Sequence, residues 1–123
     1  MFNEKFFEVL NHEGVVSIVT CANNEAHASN TWNSYLVIVE DNKILIPAAA
    51  MINTENNINI NPKVKLTLGS HEVEGYRYMG TGFLIEGTAR FLKDGDHFKM
   101  MREKYPFLTR VLEVTVSSCK QTL

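Results

Sequence analysis

The stretch KILIPAAAMINTENN, residues 43–57, changes character twice. Lys43 to Ile46 read as the end of a buried strand. Pro47 then precedes three alanines, and from Asn53 the chain turns polar. Alanine is the best helix former, so one reading is an ordinary helix start. The other is a strand end whose small side chains let a flat ligand approach the backbone, as glycine does more fully. Thr54 is a credible N-cap for a short helix over 55–60, closed off by Pro62. Such a start would point free N–H groups and the positive end of the helix outward, as anion sites do.

Upstream, NTWNSY at 30–35 contains the single tryptophan. Trp32 is either a core or surface anchor with its N–H satisfied, or an apolar plane beside the small residues of 47–50. A plane, uncovered backbone and an anion site together suit a phosphorylated aromatic ligand.

The remaining pattern is mainly β. Phe2, Phe6, Val9 and Leu10 fall at helical spacing in 2–12, before Gly14. Residues 15–22 are apolar and β-branched, with a turn at NNE. Residues 27–33 and 34–40 continue extended, and EDNK turns tightly into KILIP as a hairpin. Residues 64–70 alternate, 71–80 read as a loop or frayed strand, and 81–92 form a long strand whose Gly87 implies a bulge or bend. A helix over 95–105 stops at Pro106; 110–118 is the last strand, and 119–123 reads as a tail. Six or seven hairpin-connected strands without β-α-β alternation exclude a parallel Rossmann-type sheet. An antiparallel barrel with small helices over its openings fits best, as one domain over 1–123.

Composition narrows the function. Hydrophobic residues make up 45% and charged residues 21%, ordinary values for a globular domain. A net charge of −2 without a Lys/Arg cluster gives no footprint for nucleic acid. No apolar run reaches the roughly 18 residues of a membrane span, and the charged N-terminus lacks a signal-peptide pattern; the expected location is cytoplasmic. Cys21 and Cys119 lie far apart without C-x-x-C spacing, so both read as reduced side chains. The histidines at 12, 27, 71 and 97 show no metal-ligand spacing, and no metal is expected. GYRYMGTG at 75–82 has Thr81 where a phosphate loop needs lysine. DGDHF lacks a calcium loop's spacing, and no hydrolase elbow or triad occurs. No residue stands out as catalytic.

Several blocks, in order, carry a family resemblance: FFEVL (6–10), EGVV (13–16), NTWNSYL (30–36), IPAAAM (46–51) with Thr54, Glu55 and Asn57, TLGS (67–70), GTGFLIEGTA (80–89) and the final QTL. The chain resembles the FMN-binding split-barrel family related to pyridoxamine 5′-phosphate oxidase, in particular its smallest members. The resemblance implies a six-stranded antiparallel split barrel of Greek-key type with short flanking helices. It also implies a homodimer with FMN held non-covalently at the interface. By position, Asn30, Thr31, Trp32 and Asn33 would line the flavin site, with Tyr35 nearby. Pro47, Ala48, Ala49, Ala50 and Met51 would run along the ring, and Asn53 and Thr54 would meet the phosphate. Phe107 would flank the ring, and Leu123 would cover the flavin of the other subunit. The implied role is electron transfer to an unidentified redox partner. The alternative is an FMN-dependent oxidoreductase, either a flavin reductase or an oxidase acting on a substrate such as pyridoxamine phosphate.

Four positions depart from the small family members. Ala49 and Ala50 replace glycines, Phe107 replaces a tryptophan, and Asn53 replaces a lysine. The last loses a charge-assisted bond to phosphate, worth about 1–2 kcal/mol or roughly ten-fold in affinity.

Overall fold

The computed structural model describes residues 1–123. In chain order the elements are α1 (Glu4–Leu10), β1 (Val15–Ala22), β2 (Glu25–Trp32), a 3-10 turn (Asn33–Tyr35), β3 (Val37–Val39), β4 (Lys43–Ala48), α2 (Ile52–Ile60), β5 (Lys63–Glu74), β6 (Met79–Leu92), α3 (Asp96–Lys104) and β7 (Arg110–Gln121). The strands form one sheet in the order β2-β1-β5-β6-β7-β4-β3, and every neighbouring pair is antiparallel.

Local chemistry explains both edge hairpins. Asn23 and Asn24 at one turn, and Glu40 and Asp41 at the other, all adopt positive φ between 52° and 64°. In the two-residue β1–β2 turn that conformation matches the right-handed strand twist, while the β3–β4 turn has three residues, 40–42. Asparagine and aspartate accept it more readily than most residues.

The core shows that the sheet is rolled. Val16 and Ile18 of β1 share one buried cluster with Ile44 and Ile46 of β4, although β5, β6 and β7 lie between those strands in the sheet. A flat sheet would keep them apart; curling brings them face to face. Phe6 and Val9 of α1 enter the same cluster, so this helix plugs the barrel. Curvature comes partly from a register shift at Glu86/Gly87, the bulge that Gly87 implied. A Cβ at Gly87 would collide with the Thr115 carbonyl oxygen.

On β4 and β7 the other face is covered too. Leu45 and Val111 pack with Met101 and Leu108 in a second cluster under α3. Both faces of β4 are therefore buried from Ile44 onward, which is why the run Ile44–Ile46 is continuously apolar rather than alternating.

Four boundaries differ from expectation. The sheet has seven strands, within the six or seven read from the pattern but one more than the six-stranded barrel the resemblance implies, and the short β3 pairs only with β4. The 34–40 run is not one strand, because Asn33 N–H donates to the Gly14 carbonyl and Ser34 is held by Glu13, winding 33–35 into a 3-10 turn. Thr54 is not the N-cap of α2: the helix begins at Ile52, and Met51 precedes it in the left-handed region at φ 64°. Finally, 119–121 belong to β7, and the Leu123 carbonyl accepts from Tyr76 N–H at 2.7 Å, so the end is not a loose tail. No helix is long and apolar enough to cross a membrane.

Candidate functional site

The run after β4 is held by its carbonyls. Thr109 N–H donates to the Ala48 carbonyl at 2.9 Å, and its hydroxyl reaches the Ala48 and Ala49 carbonyls, each at 3.3 Å. Arg110 donates to the Ala49 carbonyl at 3.2 Å and to that of Ala50. Its Nε lies 2.9 Å from Glu55 Oε1, in contact as an ion pair without the alignment of a hydrogen bond. The Phe91 ring lies beneath the guanidinium, with 5.0 Å to its centroid.

These contacts turn one side of the backbone inward and leave the other side unengaged. The N–H groups of Ala49, Ala50, Met51, Ile52, Asn53 and Thr54 donate to no carbonyl or side chain of the chain. The last three are the orphan donors of the first turn of α2. Met51 accomplishes the change of direction: its left-handed backbone ends the extended run, while its side chain packs on the core. A non-glycine residue in that region costs about 1–2 kcal/mol, and such positions cluster at ligand-binding loops.

Pro47 fits its place because β3 pairs β4 only from Lys43 to Leu45, so no partner strand needs the missing N–H. Pro47 and Ala48 are buried, whereas Ala49 and Ala50 are exposed. Asn53 is exposed on the first helical turn, while Thr54 is fully buried. The Thr54 hydroxyl lies 3.0 Å from that of Ser29, which ties the start of α2 to β2. Along β2, Asn30 and Trp32 face outward and Thr31 inward, the alternation of a strand. Trp32 keeps 45% of its surface exposed.

An aromatic wall borders this run. Tyr35, Tyr105 and Phe107 form a three-ring cluster with centroids 5.2 to 6.0 Å apart. Phe107 is half exposed and lies two residues before Thr109, which grips Ala48 and Ala49. Tyr105 OH donates to the Ser34 carbonyl at 2.9 Å. Burial, then the neighbouring Tyr35 and Glu13, raise its pKa, so it remains a neutral donor. The Ser34 hydroxyl donates to Glu13 Oε2 at 2.7 Å and its N–H to Oε1 at 3.1 Å. Those bonds hold the Glu13 carboxyl below the usual range and fix the turn carrying Tyr35.

Two nominated residues lie elsewhere within one chain. The Asn33 amide is buried and donates to the His12 carbonyl at 2.8 Å, and more weakly to Val9 and Gly69. It pins the end of α1 to β5, so its side chain serves the fold. Leu123 lies beyond the far end of β7, across about 35 Å of strand from Arg110. There it borders a hollow of about 460 Å³ with Tyr76, Tyr78 and Met79.

Arg110, Thr109 and Ser29 were not singled out in the sequence, and Glu55 entered only as part of a block carrying the resemblance, not as a site residue. Their roles depend on β4 pairing β7 in the register Ala48↔Arg110, which local patterning does not reveal. Tyr105, two residues before Phe107, was not nominated either. Chemically, the run offers backbone donors, small side chains and flanking rings for a planar, phosphorylated ligand. Its carboxylates are already committed: Glu55 to Arg110 and Lys93, Glu13 to Ser34.

Residues 2–123 match the family model described as "Pyridoxamine 5'-phosphate oxidase". The chain is 44% identical over 118 residues to an "FMN-binding protein" of Nitratidesulfovibrio vulgaris, covering 96% of each. Among solved structures, an FMN-binding protein from Syntrophomonas wolfei superposes with a TM-score of 0.76 at 14% identity, covering 98% of this chain and 85% of that one. The HupZ protein of Group A Streptococcus superposes with a TM-score of 0.82 at 13% identity, covering 98% and 94%. At those identities the two structures speak for the fold alone.

Proposed function

The chain belongs to the pyridoxamine 5′-phosphate oxidase family, and from that premise we propose that it is a small flavoprotein carrying electrons on non-covalently bound FMN at an interface between two copies. The observation that carries this reading is the run of unengaged N–H groups from Ala49 to Thr54, bordered by the Tyr35, Tyr105 and Phe107 rings. The 44% identical relative, named for binding FMN, supports the same ligand.

Bound FMN supplies the redox chemistry, and protein groups supply orientation, electrostatics and exclusion of water. Ala49 and Ala50 would let the ring lie against their backbone, and their N–H groups would be available to it as donors. Asn53 and the first turn of α2 receive the phosphate, with dipole and N–H groups favouring the anion. Trp32 and Phe107 flank the ring. Arg110 does not touch the flavin; it holds the Ala49 and Ala50 carbonyls so that the opposite side of the backbone stays presented.

Leu123 completes the site in trans. Within one chain it stands at the opposite end of β7, yet it is held by Tyr76 N–H beside exposed Tyr78 and Met79. Contiguous exposed apolar surface of this kind marks an interaction face. A carrier is favoured over an oxidase because no second cluster of free basic groups adjoins the run, where a phosphorylated substrate would need one.

Reconstitution with FMN tests the reading. A yellow protein with one FMN per chain, and no NAD(P)H consumption of its own, is expected. A protein that takes up no flavin overturns the proposal; rapid NAD(P)H turnover replaces the carrier with a reductase.

A further inference from the structure

Holding a carbonyl needs only a neutral donor, and Thr109 supplies two, its N–H and its hydroxyl, to the carbonyls of Ala48 and Ala49. Arg110 brings a full positive charge to the same task, donating to the Ala49 and Ala50 carbonyls. Only 11% of its side chain is exposed, and its Nε is buried without a hydrogen-bond partner. Desolvating a cation is costly, so a charge here is more than a backbone clamp requires. Glu55 does not cancel it at the run. The carboxylate meets Nε, whereas both Nη atoms face the carbonyls. Glu55 is also shared: its Oε1 lies 2.9 Å from Arg110 Nε and its Oε2 3.9 Å from Lys93 Nζ. One carboxylate thus stands against two cations.

The two carbonyls belong to the peptide units whose other ends are the N–H groups of Ala50 and Met51, both unengaged. A hydrogen bond to a carbonyl polarises its peptide unit and strengthens the N–H at the far end, by about 10–30% per bond. A charged donor acts roughly twice as strongly as a neutral one. We propose that Arg110 is a positioning residue that sets the reduction potential of the bound flavin, its charge relayed through the 49–50 and 50–51 peptide units to the N–H groups of Ala50 and Met51. The inference rests on the flavin reading above and deepens it.

The sign follows from charge. Uptake of two electrons with a single proton leaves one more negative charge on the ring, so a positive potential favours the reduced form and raises the reduction potential. The side chains along the run, Ala49, Ala50, Met51 and Asn53, carry no charge. A positive potential there comes from the backbone and from what polarises it. Glu55 tempers the effect by pairing with Nε.

Two measurements on the full chain test this, with Arg110→Gln, Arg110→Lys and Glu55→Gln. In the apoprotein, base-catalysed hydrogen exchange of the Ala50 and Met51 amides is followed by NMR, since a positive potential stabilises the amide anion and speeds exchange. We expect Arg110→Gln to slow both amides several-fold, Glu55→Gln to speed them, and Arg110→Lys to leave them near the parent rates. In the FMN-loaded protein, dithionite titration against a reference dye reads the potential. Arg110→Gln should weaken binding of reduced FMN about ten-fold more than that of oxidised FMN, a fall of about 30 mV for a two-electron couple. Glu55→Gln should raise the potential, and Arg110→Lys should hold it even if overall affinity falls. Equal losses of affinity for both redox forms, or exchange rates that ignore the charge, would make Arg110 a clamp alone and overturn the relay. If Arg110→Gln does not fold, the opposite shift in Glu55→Gln decides the matter. A parent chain that takes up no FMN overturns the flavin reading itself, an outcome distinct from failure of the exchange result.

Discussion

At the scale of single residues, two side chains carry separable consequences. Asn53 stands on the first turn of α2, exposed and without a partner in the chain. Asn53→Lys adds a charge-assisted bond to the phosphate and should raise FMN affinity about ten-fold. An unchanged or lower affinity by titration would place position 53 away from the phosphate. Glu113 is a buried carboxylate on β7, 2.8 Å from Arg90 Nε, with Lys43 and His97 at 3.9 and 3.7 Å. Burial pushes its pKa up, but the Arg90 hydrogen bond and charge, with Lys43 and His97, outweigh it and leave the carboxyl below the usual range. Its stabilising contribution is therefore full above the unfolded value of about 4.3 and is lost as pH falls through the lower folded value. Glu113→Gln should cost about 2 kcal/mol at neutral pH and flatten the acid limb of stability against pH, measured by urea unfolding. Cys119, partly buried against the edge of the core, is quiet: desolvation pushes its thiol up to about 11, which suits an unreactive cysteine.

At the scale of elements, Gly87 determines how β6 and β7 bend together. A Cβ there meets the Thr115 carbonyl, which is backbone and cannot swing aside. Gly87→Ala should destabilise the fold by about 1–3 kcal/mol, seen as a fall in melting temperature of several degrees; no change would mean that the bulge does not set the curvature. This glycine was legible in the sequence because an isolated glycine in a strand pattern points to a bulge or a close approach. The two hairpins were legible too, since their turn residues tolerate positive φ. The start of α2 was not. Thr54 has the chemistry of an N-cap, but Ser29 takes its hydroxyl, and Met51 turns the chain in a conformation that methionine does not advertise. Helix α2 itself, rich in asparagine, forms because Thr54 and Ile58 are buried rather than because its residues prefer helix.

At the scale of the whole molecule, the barrel separates parts of the proposed site. Pro47 to Thr54, Tyr35 and Phe107 gather near one end of β7, while Leu123 and the Tyr76–Met79 turn stand at the other. A dimer that brings opposite ends together would unite them. Leu123→Ala, which keeps the carbonyl that Tyr76 N–H donates to, should then weaken FMN binding several-fold without changing the melting temperature of the apoprotein; unchanged affinity would confine the site to one chain. The pairing of the candidate run with Thr109 and Arg110 was beyond the reach of local patterning, because those contacts span some sixty residues. Family resemblance supplied the nominated residues, and the fold supplied what holds them. The most direct test of the account is an amide NMR titration of the apoprotein with FMN. The N–H signals of Ala49 to Thr54 should shift together, saturate at one FMN per chain and gain protection from exchange. Saturable binding that leaves those signals in place would contradict it.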